Sequence, residues 1–82
     1  MTTKTKWPPA GTLLKDLEND KFGEFQTELN GSFWLRPVGG GHEWCVHPGR
    51  TRQATYAEVR RAREAVKEMR ARAARIRAES AP

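Results

Sequence analysis

The chain has 82 residues, of which 37% are hydrophobic and 30% are charged, and it carries a net charge of +5. A chain of this length forms a single domain with a thin core, which leaves little room for an enclosed catalytic cavity, so we expect a non-enzymatic binding module. No apolar run approaches the ~20 residues of a membrane span, and we expect no contact with a membrane.

The N-terminal residues predict an arm followed by a first strand. Residues 1–10 form the expected flexible arm, in which the Pro8-Pro9 pair cannot continue a helix. We expect Trp7 to lie back against the body of the protein. Residues 12–17 follow a period-two pattern and predict a strand, and residues 18–21 are rich in the side chains that favour a turn.

The next segment predicts a β-hairpin. Residues 22–29 and 32–38 form the two strands, and Asn30-Gly31 between them favours a type I′ turn because both residues tolerate a positive φ. In the second of these strands, alternation places Phe33 on one face and both Trp34 and Arg36 on the other.

A fourth strand, residues 42–47, follows the glycine turn at residues 39–41. Four short antiparallel strands would leave a flat sheet wet on its apolar face, so we expect residues 11–54 to curl into a small barrel or a bent meander. The predicted fold class is therefore α+β, with this sheet followed by one helix. The predicted core is Leu13, Leu17, Phe25, Leu29, Phe33, Leu35, Trp44 and Val46.

Four segments of this region resemble a known group of sequences. They are Gly11-Thr-Leu-Leu-Lys-Asp, Gly23-Glu-Phe, Trp34-Leu-Arg-Pro-Val-Gly-Gly-Gly-His-Glu-Trp and Arg50-Thr-Arg-Gln-Ala-Thr. They are similar to small uncharacterised proteins of high-GC actinobacteria such as Streptomyces, and of their mobile elements, which in turn resemble SH3-like small barrels. The resemblance covers residues 11–55 and implies an SH3-like fold. It implies no catalytic residue, since small barrels serve many binding roles.

Residues 55–80 predict a single basic amphipathic helix. Thr55 is a suitable N-cap, and Glu58 three residues later completes a capping box. No glycine or proline interrupts the segment from there to Ser80. A helix of this length spans about 37 Å, which is longer than the barrel is wide, so we expect its far end to project.

One face of this helix carries an apolar seam with alternating spacings of three and four residues, typical of a coiled coil. The first half of the seam can pack on the barrel, whereas the second half would meet another chain or fray. Because Arg63, Arg70 and Arg77 flank the seam, an acidic protein surface fits it better than a second copy, although a homo-oligomer stays open. The seam consists of Val59, Ala62, Val66, Met69, Ala73 and Ile76.

The positive charge is concentrated in the helix. Residues 1–49 carry five Lys/Arg and six Asp/Glu, a net charge of −1, whereas residues 50–82 carry ten Lys/Arg and four Asp/Glu, a net charge of +6. A localised basic block predicts a polyanion as partner, and we expect nucleic-acid binding and a regulatory role. The alternative is a solvated face with pairs such as Arg60–Glu64. The candidate nucleic-acid contacts are Arg60, Arg63, Lys67, Arg70, Arg77, Trp34 and Arg36. For Trp34 the favoured alternative is that the C-terminal helix covers it.

The remaining chemistry-bearing residues predict no catalytic, metal or cofactor site. Cys45 and His47 share a strand face while His42 points away, and two ligands are too few for structural zinc. The glycines at 39–41 precede a strand instead of a helix, unlike a phosphate-binding loop. Cys45 is the only cysteine, so an internal disulfide is impossible, and we expect a cytoplasmic protein.

Overall fold

The structure, a computed structural model, describes residues 7–80, which form one antiparallel sheet followed by one long helix. This confirms the α+β class. The strands are β1 (Leu13–Asp16), β2 (Lys21–Leu29), β3 (Ser32–Pro37), β4 (Trp44–Val46) and β5 (Thr51–Gln53). A 3₁₀ turn at Pro48–Arg50 precedes β5, and helix α1 spans Tyr56–Ser80.

The sheet is open, and its five strands within the described residues run in the order β4-β3-β2-β1-β5. The closed barrel and the count of four strands are therefore wrong, whereas β1 to β4 follow one another as a meander. The fifth strand was missed because it has only three residues, without an alternating apolar pattern, and it pairs with β1 through Asp16 and Thr51. The strands β4 and β5 lie at opposite edges of the sheet, so the sheet does not close on itself.

The hairpin between β2 and β3 confirms the predicted turn. Asn30 has φ 53° and Gly31 has φ 85°, the pair of positive values that a type I′ turn requires. The carboxylate of Glu28 also accepts a 2.7 Å hydrogen bond from the backbone N–H of Gly31. Local sequence therefore sets the register at this end of the sheet.

The core contains Leu14, Phe25, Phe33, Leu35 and Val46, with Trp44 half-buried against them. Three predicted core residues are wrong. In β1 the buried residues are Leu14 and Asp16, so Leu13 faces the other way, and Leu17 lies beyond the strand with 50% of its surface exposed.

Leu29 is the third error, with 55% of its surface exposed. A bulge shifts the β2–β3 register between Phe25 and Thr27. Regular alternation would have placed Leu29 on the same face as Phe25, but the extra residue of the bulge moves it to the opposite face. The exposure of Leu29 is therefore a consequence of this irregularity.

A buried carboxylate joins the β1–β2 turn to β4. Asp16 is fully buried and accepts hydrogen bonds from the backbone N–H groups of Glu18 and Asn19, from the Asn19 amide and from the Trp44 indole, at 2.8–3.0 Å. Burial by itself would raise the pKa of the Asp16 carboxyl, but these hydrogen bonds together hold it below the usual value. The group is fully satisfied, so we assign it a structural role.

The described part of the predicted arm contacts the sheet. The Trp7 ring meets Phe33 edge-on, with 5.5 Å between the ring centroids. Pro9 accepts hydrogen bonds from both the backbone and the hydroxyl of Thr12. Residues 1–6 of the predicted flexible arm lie outside the described residues.

The start of α1 is anchored to β5. The Thr55 hydroxyl accepts a hydrogen bond from the Glu58 N–H, and the Glu58 carboxylate accepts one from the Thr55 N–H, which confirms the capping box. Arg52 in β5 donates two further 2.9 Å hydrogen bonds to this carboxylate. These hydrogen bonds lower the pKa of Glu58 to about 2, and the largest effect comes from Arg52.

Candidate nucleic-acid interface

The first half of α1 lies against the sheet and the turn that follows β3. Val59, Ala62 and Val66 are half-buried, and the last two share an apolar cavity with Phe22 and Val38. Val66 also reaches Gly39, where an added β-carbon would lie 3.3 Å from Val66 Cγ2. Gly39 has φ 93°, so glycine permits both this turn and the close approach of the helix.

Beyond Val66 the helix begins to leave the sheet, although Lys67, Met69 and Arg70 still border cavities that the turn after β3 also lines. Every residue from 67 to 80 is exposed. We name residues 56–66 the docked half of α1 and residues 67–80 the projecting half. The seam divides at the same place, because Met69 and Ile76 expose 56% and 57% of their surface and Ala73 is also exposed.

A groove of about 550 Å³ runs between α1 and the turn after β3. Its walls bring together cations that are far apart in sequence, since Arg36 from β3 faces three cations of the helix. Its floor is formed by the turn at residues 37–40 and by Val66. We name it the cationic groove, and its charged residues are Arg36, Arg63, Lys67, Arg70 and Glu24.

The helix cations of this groove are free of ion pairs within residues 7–80. The ion pairs in that part of the chain are Lys15–Asp20, Arg36–Glu43 and Arg52–Glu58. Arg36 holds Glu43 at 2.9 Å, with both side chains substantially exposed. Arg63, Lys67 and Arg70 take part in none of these pairs, so their charge is available to a ligand. The Arg60–Glu64 pair of the alternative interpretation does not form either.

The other predicted contacts lie elsewhere. Arg60 borders a separate depression with Ala57, Arg61 and Glu64. Arg77 belongs to the projecting half. Trp34 is half-buried on the outer face of the sheet, between Thr27 and Cys45, and does not line the cationic groove.

Sequence reasoning missed two features of the groove. Glu24 lines it because it lies opposite Arg36 in the β2–β3 ladder, which only the observed register reveals. The sequence predicts only a turn between two strands at Gly39 and Gly40, yet these glycines form part of the groove floor. Glycines at such a floor let a ligand approach the backbone closely.

The histidines and the cysteine do not form a cluster. Cys45 is exposed, and Nδ1 of His47 accepts a 2.9 Å hydrogen bond from the Gly49 N–H, which caps the 3₁₀ turn. Among residues 7–80, no three His, Cys, Asp or Glu side chains are grouped so that they could hold a metal ion. In the same part of the chain, no helix is long and apolar enough to cross a membrane.

Comparison with known proteins gives no match to a family model, a curated protein or a solved structure. The resemblance of residues 11–55 to SH3-like actinobacterial proteins therefore stays a prediction.

Proposed function

We propose that the protein is a non-enzymatic module that binds nucleic acid through the cationic groove. The observation that carries this proposal is the convergence of Arg36 with Arg63, Lys67 and Arg70 around one groove. Arginine guanidinium groups match phosphate oxygens in geometry as well as in charge. A regulatory or accessory role in transcription would follow from such binding.

The charge balance of the groove supports a polyanion. The groove is lined by four cations and by one carboxylate, that of Glu24. The ion pair with Glu43 already neutralises part of the charge of Arg36. A chain of phosphates would replace the water that now solvates Arg63, Lys67 and Arg70. Because these side chains make no ion pair within residues 7–80, binding would break none there.

Salt dependence tests this proposal. If four cations meet phosphates, log K should fall against log salt with a slope of roughly −4 for duplex DNA, between about 50 mM and about 200 mM salt. The double variant Arg63→Ala and Arg70→Ala should make the slope about two units shallower. Fluorescence anisotropy with a labelled oligonucleotide measures both values.

The matched control removes the same charge outside the groove. Arg50→Ala combined with Arg61→Ala deletes two exposed cations that do not line it. This control should leave the slope within about half a unit of the original. An affinity that does not change with salt, or equal losses in both double variants, would overturn the proposed function.

A protein-binding role is the second candidate, and the exposed end of the seam favours it. Met69 and Ile76 leave more than half of their surface in water. An acidic helix could cover both residues and pair with the arginines beside them. Met69→Glu tests this role, because the charge would weaken binding of an acidic helical peptide in an anisotropy titration and would lower the mass of a seam-mediated oligomer in light scattering. If neither changed, the seam would not be the interface.

A further inference from the structure

The projecting half of α1 is an exposed helical segment with an excess of positive charge. Its residues 67–80 are all exposed and span about 21 Å of helix. They include Lys67 and four arginines against only Glu68 and Glu79. Its first turn still borders the sheet, where Met69 shares an apolar cavity with Phe22 and Trp44. Residues 71–80 are all exposed, so a ligand can reach several sides of that part of the helix.

The cations of this half point in several directions. At about 100° per residue, Arg70 and Arg77 continue the line of the cationic groove. Arg72 and Arg75 lie on the far side of the helix, more than about 120° away from Arg70. A flat polyanion would contact only one of these sides, whereas a ligand that surrounds the helix would contact both.

The same segment is narrow and lacks stacking groups. Four of its residues are alanines, at positions 71, 73, 74 and 78, and it contains no Phe, Tyr or Trp. Single-stranded nucleic acid is usually held by aromatic side chains on which the bases stack. The cationic groove is not lined by an aromatic residue either. Both features disfavour a single strand as the ligand.

We propose that the projecting half of α1 enters the major groove of duplex DNA, while Arg36 and Arg63 contact a phosphate strand at its border. This inference rests on the proposed function and specifies its ligand. The major groove of B-form DNA is about 12 Å wide and admits a helix, so its two phosphate walls would meet the opposite sides of α1. The major groove of A-form RNA is too deep and narrow for this arrangement.

The expected sequence preference is modest. The projecting half contains no Asn or Gln, the side chains that pair with adenine edges, but its arginines can reach guanine. Phosphate contacts would supply most of the affinity. We therefore expect mild enrichment of G·C-rich sites and no strict consensus.

The first test compares three probes of one sequence, each about 20 nucleotides or base pairs long: duplex DNA, duplex RNA and single-stranded DNA. The full chain should bind duplex DNA at least about tenfold more tightly than duplex RNA, because only the DNA groove admits the helix. Equal affinity for the two duplexes, or tighter binding of the single strand, would overturn the groove insertion while leaving the proposed function intact. Absence of binding to all three probes would overturn both.

The second test separates insertion from binding along one side. Arg75→Ala should reduce the affinity for duplex DNA several-fold and make the salt slope about one unit shallower, since Arg75 would face a phosphate wall. Arg61→Ala is the matched control, because Arg61 lies about four turns earlier on nearly the same side of the helix but in the docked half. Equal effects of the two variants would show that α1 lies across the DNA backbone instead. Circular dichroism verifies that both variants keep their helix.

Discussion

The two halves of α1 have similar sequences but different surroundings. The docked half places Val59, Ala62 and Val66 against the sheet, and Glu58 is held by Arg52. The projecting half continues the same seam with Met69, Ala73 and Ile76, yet all of it is exposed. The apolar stripe of a helix therefore does not by itself show which of its residues are buried. Their burial depends on how far the sheet extends along the helix.

The contrast also concerns charge. The cationic groove lies across the border between the two halves, since Arg63 belongs to the docked half whereas Lys67 and Arg70 belong to the projecting half. In the projecting half the cations surround the helix. Binding energy available to a polyanion should thus come from both halves, whereas folding stability should come from the docked half and the sheet alone.

Hydrogen exchange should show the largest difference between the two regions. Amides of β2 and β3 should open only by global unfolding, while those of residues 70–80 should exchange at nearly unprotected rates. An isolated helix end without packing is marginal in water, so the gap should approach the whole free energy of unfolding, about 5 kcal/mol or more. Strong protection of residues 70–80 in dilute solution would contradict this contrast and would favour an oligomer through the seam.

Truncating apolar side chains should give the next largest difference. Leu35 is 0% exposed, and Leu35→Ala should lower the free energy of unfolding by about 2–5 kcal/mol through lost burial and a cavity. Ile76→Ala removes a similar group from a 57% exposed site and should change it by less than about 0.5 kcal/mol. Urea unfolding measures both variants, and comparable losses would show that Ile76 is covered in solution.

Acid should weaken the sheet and the docked half. Asp16 and Glu58 have folded-state pKa values below their ordinary values of 3.8 and 4.5, so the unfolded chain binds more protons as the pH falls. Their contribution to the free energy of unfolding is complete above about pH 5. It is lost progressively as the pH falls through the folded-state pKa of each group, which for Glu58 is about 2. Urea midpoints measured across this range should decrease accordingly.

A pair of charge variants isolates the contribution of Glu58 to the loss of stability in acid. Glu58→Gln should lower stability at neutral pH and make the loss in acid shallower, because its hydrogen bonds from Arg52 lose their charge. Glu68→Gln removes the same charge from the projecting half and serves as the control. An unchanged pH dependence in the Glu58 variant would contradict the role of this clamp.

The smallest expected effect concerns the carboxylate of the groove. Glu24→Gln removes a negative charge that faces the cationic groove and should tighten nucleic-acid binding by about two- to threefold at low salt, with less effect at high salt. Glu18→Gln, an exposed change in the β1–β2 turn, should alter the affinity less. Equal gains in both variants would indicate that only overall charge matters and that the groove is not the site.

The elements that the sequence predicted well depend on neighbouring residues. The Asn30-Gly31 turn and the Thr55–Glu58 capping box are stabilised by contacts within four residues, and both are confirmed. The errors involve longer distances. The burial of Leu14 and Asp16 depends on pairing with β2 and β5, and the exposure of Leu29 depends on a bulge.

The candidate site was predictable in part. Helical periodicity places Arg63, Lys67 and Arg70 on one side of α1, and this requires only that the segment be helical. Arg36 joins them because the helix docks beside the turn after β3. Glu24 faces the groove because the β2–β3 register places it opposite Arg36, and Trp34 does not line the groove. No local pattern encodes this docking, because it results from the contact of Val66 with the turn at Gly39.

By itself, the sequence determined the turns, the helix with its cap, and the excess of positive charge near the C-terminus, since each follows from local geometry or composition. Only the tertiary structure decided which face of β1 is buried, that the sheet stays open, and where α1 leaves it. Those outcomes depend on packing between residues that are distant in the chain. The border near residue 67 follows from them, because there the sheet ends while the helix continues.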